Sequence, residues 1–165
     1  MDLALVADFP DLIPTLGEWY RNSCPEEKES GRDPEDDFRG CANRDTLPIA
    51  LVALQNGEPV GATFVLGTVS RADPALGPWL DGGFVPSSER HNEICMFMKV
   101  GSIALCHKMG FVRVNQGVRS ETAAQWYEKK GWVRFDLPGS NDPSAIYLTR
   151  STEALKAPAG RRWCF

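Results

Sequence analysis

Residues 79–109 read WLDGGFVPSSERHNEICMFMKVGSIALCHKM, and the fold turns on them. The run 79–85 is apolar at both ends, carries Gly82 and Gly83 in its middle and stops at Pro86, as a short strand with a bulge would. Further on, Ile94, Phe97, Met98, Gly101, Ala104, Leu105 and Met109 recur at the spacing of one helical face, with Lys99, Ser102 and Lys108 on the other side. Gly110 suits the stop of that helix. A strand, a polar turn and a long helix in this order present free helix-end amides at the turn, an arrangement suited to an anion. The tip of the turn, Arg90 to Cys95, contains no glycine and carries Glu93, which opposes that use.

Upstream, 48–54 (PIALVAL) and 59–69 (PVGATFVLGTV) are β-rich runs separated by Gln55, Asn56, Gly57 and Glu58, and Asn-Gly between such runs marks a hairpin. The chain starts with an apolar run, Leu3 to Ala7, that reads as a strand. A helix to about Arg21 follows, with Pro14 in its first turn or kinking it. The charged segment 24–45 supports only a short helix from Pro34 to about Cys41, and reads as a solvated connector or a flap over a substrate. The loop 70–78 is rich in proline and glycine.

Downstream, 111–118 (FVRVNQGV) alternates, which puts Val112, Val114, Gln116 and Val118 on one face of a half-buried strand. Ser120 as N-cap, Glu121 in the first turn, Lys129 and Lys130 in the last and Gly131 as stop define a second helix. Strands are expected over 132–137 and 145–149. The tail 153–165 ends in GRRWCF, with Trp163 and Phe165 either docked or frayed.

The 165 residues, 42% of them hydrophobic, are enough for one domain, taken as residues 1–152 followed by the tail. A net charge of −4 speaks against a nucleic-acid partner. No run reaches the roughly 18 apolar residues of a membrane span, and the start lacks the basic flank of a signal peptide, so a cytoplasmic protein is expected. The five cysteines form no CxxC pair and are expected to be free thiols. His91, Glu93 and Cys95 alternate without a PCxxC partner, and no metal is expected. Cys106 and His107, adjacent in a helix, point apart and make a poor nucleophile pair.

The order of elements, with PWLDGGFVPSSERHNEICMFM (78–98), SETAAQWYEKKGW (120–132) and LPIALVALQNGEPVGATF (47–64), resembles the GNAT acyltransferase superfamily. Pro78, Trp79, Leu80, Phe84, Val85, Arg90 and Ile94 keep the register of its strand and loop, and Ala123, Tyr127, Gly131 and Trp132 that of its later helix. The resemblance implies a mixed α/β (α+β) fold, with a mostly antiparallel twisted sheet of about six to seven strands flanked by about four helices. It also implies direct transfer of an acyl group from acetyl-CoA, or another acyl-CoA, to an amine of a small molecule or a protein. The protein would act as a monomer or homodimer.

By the same resemblance, Tyr127 is the acid that protonates the thiolate, and an unperturbed phenol with a pKa near 10 suits that task. Ala123, Trp126 and Tyr127 also read as an ordinary core-facing stripe. Asp81, the acid of the central strand, is the candidate base, by itself or through a water; a surface aspartate is the plainer reading. Cofactor contacts fall on Phe84, Val85, Arg90, His91, Asn92, Glu93, Ile94 and Cys95. The family's pyrophosphate motif, Arg/Gln-x-x-Gly-x-Gly/Ala, lies on 90–95 with its first residue kept and both glycines replaced.

Glu93 therefore brings a side chain and a negative charge to the anion site, and like charges about 4 Å apart repel by roughly 1 kcal/mol in water and roughly 4 where partly buried. Three outcomes remain open at the level of sequence. Arg90 and His91 pair with Glu93 and free the amides; Glu93 serves the helix itself and the protein is a non-catalytic binding module; or the acyl donor is not coenzyme A.

Overall fold

The computed structural model describes residues 1–23, 33–67, 76–86, 91–140 and 142–165. Its centre is an eight-stranded sheet, one or two strands larger than expected. The strands are β1 (Asp2–Leu5), β2 (Ile49–Gln55), β3 (Glu58–Leu66), β4 (Trp79–Phe84), β5 (Arg113–Val118), β6 (Val133–Phe135), β7 (Ile146–Ser151) and β8 (Arg162–Cys164), in spatial order 6-7-5-4-3-2-1-8. The helices are α1 (Ile13–Ser23), α2 (Pro34–Gly40), α3 (His91–Lys108) and α4 (Glu121–Glu128).

Local chemistry fixes most of these elements. Asn56 and Gly57 both adopt positive φ (55° and 88°), the geometry of the tight hairpin joining β2 to β3. Short 3₁₀ turns precede α1, so Pro14 falls at its second residue, where no helical N–H is lost. Asp33 caps α2 by accepting from the Glu35 N–H at 3.0 Å, and the Ser120 hydroxyl caps α4 by accepting from Ala123 N–H at 3.4 Å. At the end of α3 the N–H groups of Gly110 and Phe111 donate to the carbonyls of His107 and Cys106.

Side-chain alternation along β1, β2 and β3 divides the interior into two cores. Leu3, Leu5, Ile49, Leu51 and Val65 face α3, where they meet Phe97, Met98, Ile103 and Leu105. Ala4, Val52, Phe64 and Phe84 face the other way, onto Ile13 and Leu16 of α1 and Phe38 of α2. Each large side chain buried in this way contributes roughly 1.5–3 kcal/mol. The ladder of β5 starts at Arg113, not Phe111, because the chain is still leaving the Gly110 turn; Val112 is 77% exposed instead of lying on the buried face.

The tail joins the sheet. Residues 162–164 run parallel to β1, in register Asp2↔Arg162, Leu3↔Trp163 and Ala4↔Cys164. Arg162 holds the Asp2 carboxylate at 2.6 and 3.0 Å. Trp163 packs beside Gly101, where an added Cβ would stand 3.0 Å from its Nε1 and 2.3 Å from Leu3 Cδ2.

Candidate active site

β3 and β4 pair as Phe64↔Asp81 and Ala62↔Phe84, so Gly82 and Gly83 together oppose Thr63 alone. This is the bulge expected from the two glycines. Gly82 has φ 69° and Gly83 φ 149°, a conformation that side chains resist. The Asp81 carboxylate accepts from Gly82 N–H at 2.8 Å, and Thr63 Oγ1 donates to the Asp81 carbonyl at 3.0 Å. On its other edge β4 runs parallel to β5 but pairs with it only at Trp79↔Asn115, beside the bond from Asn115 N–H to the Pro78 carbonyl. Beyond that point the two strands part, leaving backbone on both free to meet a ligand.

Over this opening lie α3 and α4, with a cavity of about 610 Å³ between them. Asn92, Cys95, Met96, Ser120, Trp126 and Tyr127 are among its walls. Cys95 Sγ lies 3.9 Å from the Gly83 carbonyl, which ties the cavity to the bulge. Lys99, one helical turn on, donates from Nζ to Gln116 Oε1 at 2.6 Å and stands 5.5 Å from the centre of the Tyr127 ring. Gln116 is 1% exposed, and its Nε2 has no hydrogen-bond partner of good geometry. That amide still acts on the Tyr127 phenol and opposes part of its pKa shift.

Burial dominates the ionisation of this group. It raises the Tyr127 phenol above its usual 10.0, with Gln116 opposing and Cys95 adding. It also raises the Cys95 thiol, against the pull of Lys99. Lys99 moves the other way, from 10.5 to about 8, because desolvation of its ammonium outweighs the attraction of Asp81 and Cys95. The residue as a whole keeps some contact with solvent, but its charged end lies deep enough for desolvation to be the largest influence.

Of the other residues expected to meet a cofactor, Phe84, Val85 and Ile94 place their side chains in the cores and have only backbone to offer. Asn92 and Glu93 are exposed in the first turn of α3. His91 opens that helix, and Arg90 lies outside the described residues. Glu93 forms an ion pair with Arg161 of the tail, whose guanidinium also stands 5.4 Å from the Phe97 ring centre. On the far side of the opening, Trp79, Asp81, Arg119, Asp142 and Tyr147 line a smaller cleft of about 240 Å³. A larger cavity, about 970 Å³, is at the opposite end of α3, by Leu105, Lys108 and Met109, away from these groups.

No family model and no curated protein matches the sequence. Solved structures do match the fold. An aminoglycoside 6'-acetyltransferase of type Ii superposes with a TM-score of 0.71 at 21% identity, over 96% of this chain and 100% of its own. The aminoglycoside 6'-N-acetyltransferase from Enterococcus faecium gives 0.67 at 20%, over 90% and 94%. An acetyltransferase of the GNAT family from Staphylococcus aureus gives 0.59 at 17%, over 87% and 94%. The chain has the GNAT fold.

An aminoglycoside 6'-N-acetyltransferase solved with coenzyme A also matches, at a TM-score of 0.66 and 20% identity over 90% of this chain and 94% of its own. In this chain the matching region holds the cavity of about 610 Å³ between α3 and α4, which Cys95 ties to the strained bulge at Gly82 and Gly83. Among the described residues no group of His, Cys, Asp and Glu could hold a metal ion, and no helix is long and apolar enough to cross a membrane. Cys41, Cys95, Cys106 and Cys164 are free thiols, and Cys24 lies outside the described residues.

Three residues of the site were not singled out from the sequence: Lys99, Gln116 and Arg161. For Lys99 a signal existed, since it is the one charged residue between Ile94 and Cys106. A lone charge in such a run is either aimed at solvent or kept for a buried partner. Gln116 and Arg161 gave none, because their roles depend on contacts across 17 and 68 positions of chain.

Proposed function

We propose that this protein is an N-acyltransferase of the GNAT family, which moves an acyl group, acetyl in the simplest case, from a coenzyme A thioester directly to an amine. The observation that carries this reading is the position of Tyr127, on the wall of the α3–α4 cavity that Cys95 connects to the Gly82–Gly83 bulge. A phenol there can protonate a departing sulfur beside backbone free to hold the thioester.

In this reading the cavity between α3 and α4 takes the pantetheine arm and the bulge receives the thioester. The amine approaches from the cleft at Asp81, Asp142 and Tyr147. Its ammonium first gives a proton to Asp81 or a water, and the freed lone pair attacks the thioester carbon. The carbon–sulfur bond breaks, Tyr127 gives its proton to the sulfur, the nitrogen sheds its surplus proton to solvent, and the phenolate regains one from solvent. Burial keeps Tyr127 protonated until the sulfur requires it, and keeps Cys95 a thiol, which argues for direct transfer over an acyl-cysteine. The acceptor is a small-molecule or protein amine; three of the neighbours named above are aminoglycoside acetyltransferases.

A second reading keeps the fold without the activity. Glu93 stands in the first turn of α3, where a carboxylate already serves the helix dipole. Its pairing with Arg161 favours the enzyme, because the negative charge is compensated from the side. Calorimetric titration with acetyl-CoA separates the two. Binding by the native chain, with turnover lost in Tyr127→Phe, supports the transferase. No binding at millimolar ligand until Glu93 is replaced by glycine supports the module.

A further inference from the structure

Lys99 is used by nothing in the scheme above, yet it lies at its centre. It comes from the middle of α3, is held at 2.6 Å by Gln116 of β5 and spans the face of Tyr127 of α4, while Asp81 of β4 acts on it through space. All four elements around the opening meet at this one ammonium. An amine brought into such a place loses hydration, so it needs a reason to be there beyond packing. Gln116 gives it one hydrogen bond, and an ammonium has three to give.

The chemistry has a use for a cation here. As the carbon–sulfur bond breaks, a full negative charge appears on sulfur. When the Tyr127 proton moves across, that charge passes to the phenolate oxygen. A positive charge that is fixed in advance, in a place partly closed to water, stabilises both stages more than water would. We propose that Lys99 is the charge-stabilising residue of the transfer centre, with Gln116 as the positioning residue that holds its ammonium across Tyr127. This rests on the acyltransferase reading, and adds to it a residue that neither the resemblance nor the fold nominates.

The role requires protonated lysine, so it has a pH signature. Among the described residues, the titratable groups that face Lys99 are Cys95 on its own helix, Asp81 on β4 and Tyr127 on α4; Gln116 on β5 is neutral. Cys95 and Tyr127 are both held protonated by burial, so Lys99, at about 8, is the group that loses its proton first as the solution turns alkaline.

The test uses the full chain with Lys99→Met and Lys99→Arg. Calorimetry with coenzyme A tests the underlying reading, and all three proteins should bind. The titration of the bound thiol, followed by thiolate absorbance, tests the proposal: Lys99→Met should raise its midpoint by about one unit or more, tenfold in proton affinity. Lys99→Arg should hold it near the native value. Turnover on a panel of primary amines should fall at least roughly tenfold in Lys99→Met. The alkaline loss of activity, expected near pH 8 in the native protein, should move upward in Lys99→Arg because a guanidinium stays charged. A Lys99→Met protein that binds coenzyme A with an unchanged thiol titration and an unchanged alkaline limb overturns this proposal alone. A native protein that fails to bind coenzyme A overturns it together with the reading beneath it.

Discussion

Arg161, immediately before β8, pairs with Glu93 in the first turn of α3. The pair joins the tail to the start of α3, where the resemblance places a pyrophosphate motif without its glycines. Glu93 is 41% exposed at its side chain and Arg161 23%, so the contact is partly screened and its direct effect on stability is small. Its effect on an incoming anion is larger, because it decides whether the carboxylate is compensated.

Arg161→Ala should therefore weaken coenzyme A binding, by roughly three- to tenfold, about the 1 kcal/mol of an uncompensated like charge in a wet site. Glu93→Gln in the same background should restore most of that loss. Isothermal titration at two salt concentrations checks it: the Arg161→Ala effect should shrink as salt rises. An equal loss in Arg161→Ala and in the double variant would mean that Arg161 touches the ligand instead of Glu93.

The parts of the fold that the sequence discloses are those with local causes. The β2–β3 turn is written in Asn56 and Gly57, and α4 in Ser120 and Gly131, each acting within a few residues. β8 is three residues long and exists because β1, at the other end of the chain, offers an edge. No periodicity can be read from so short a run. Val112 misled for a related reason: the alternation of 111–118 is real, but where a ladder begins depends on the partner strand, and β7 starts to pair with β5 at Arg113. For the site, the bulge was legible in Gly82 and Gly83 themselves, while Tyr127 and Asp81 were nominated by the resemblance. The Lys99–Gln116 contact is a tertiary fact between α3 and β5 that nothing in either segment announces.

Gly101→Ala tests how firmly the tail is seated. Alanine favours a helix by roughly 1 kcal/mol over glycine, so an open site would be stabilised. Here the new Cβ would come to 2.3 Å from Leu3 Cδ2, in the core, and 3.0 Å from Trp163 Nε1. Overpacking should win, with a net loss of about 1–3 kcal/mol in urea denaturation. Faster hydrogen exchange along 162–164 should accompany it, and a gain in stability would show that β8 gives way without cost.

Asp81→Asn separates base from bystander. The asparagine side-chain oxygen can still accept from Gly82 N–H, so the bulge should persist and coenzyme A affinity should change little. If Asp81 takes the ammonium proton, turnover near neutral pH should fall by roughly 10²–10⁴. The deficit should narrow at alkaline pH, where the acceptor amine loses its proton unaided. A uniform small loss at every pH would assign the proton to water and leave Asp81 as a surface residue.

The depressed Lys99 also predicts how stability varies with pH. Its pKa falls from 10.5 when unfolded to about 8 when folded, so between those values the unfolded chain binds more protons than the native one. Stability from this group must then rise with pH: the cost of burying the ammonium is present in full below about 8 and is relieved as the solution approaches 10.5. The amplitude is on the order of 3 kcal/mol at most, from about 1.4 kcal/mol per unit. Lys99→Met has no proton to lose and should lack this contribution. Denaturation midpoints of the two proteins should therefore differ most near pH 7, with Lys99→Met the more stable, and converge towards pH 10, both values being about where the linkage is flat and nearly complete. A gap that stays constant across that range would mean that the ammonium is hydrated in the folded protein, and that Lys99 titrates as an ordinary surface lysine.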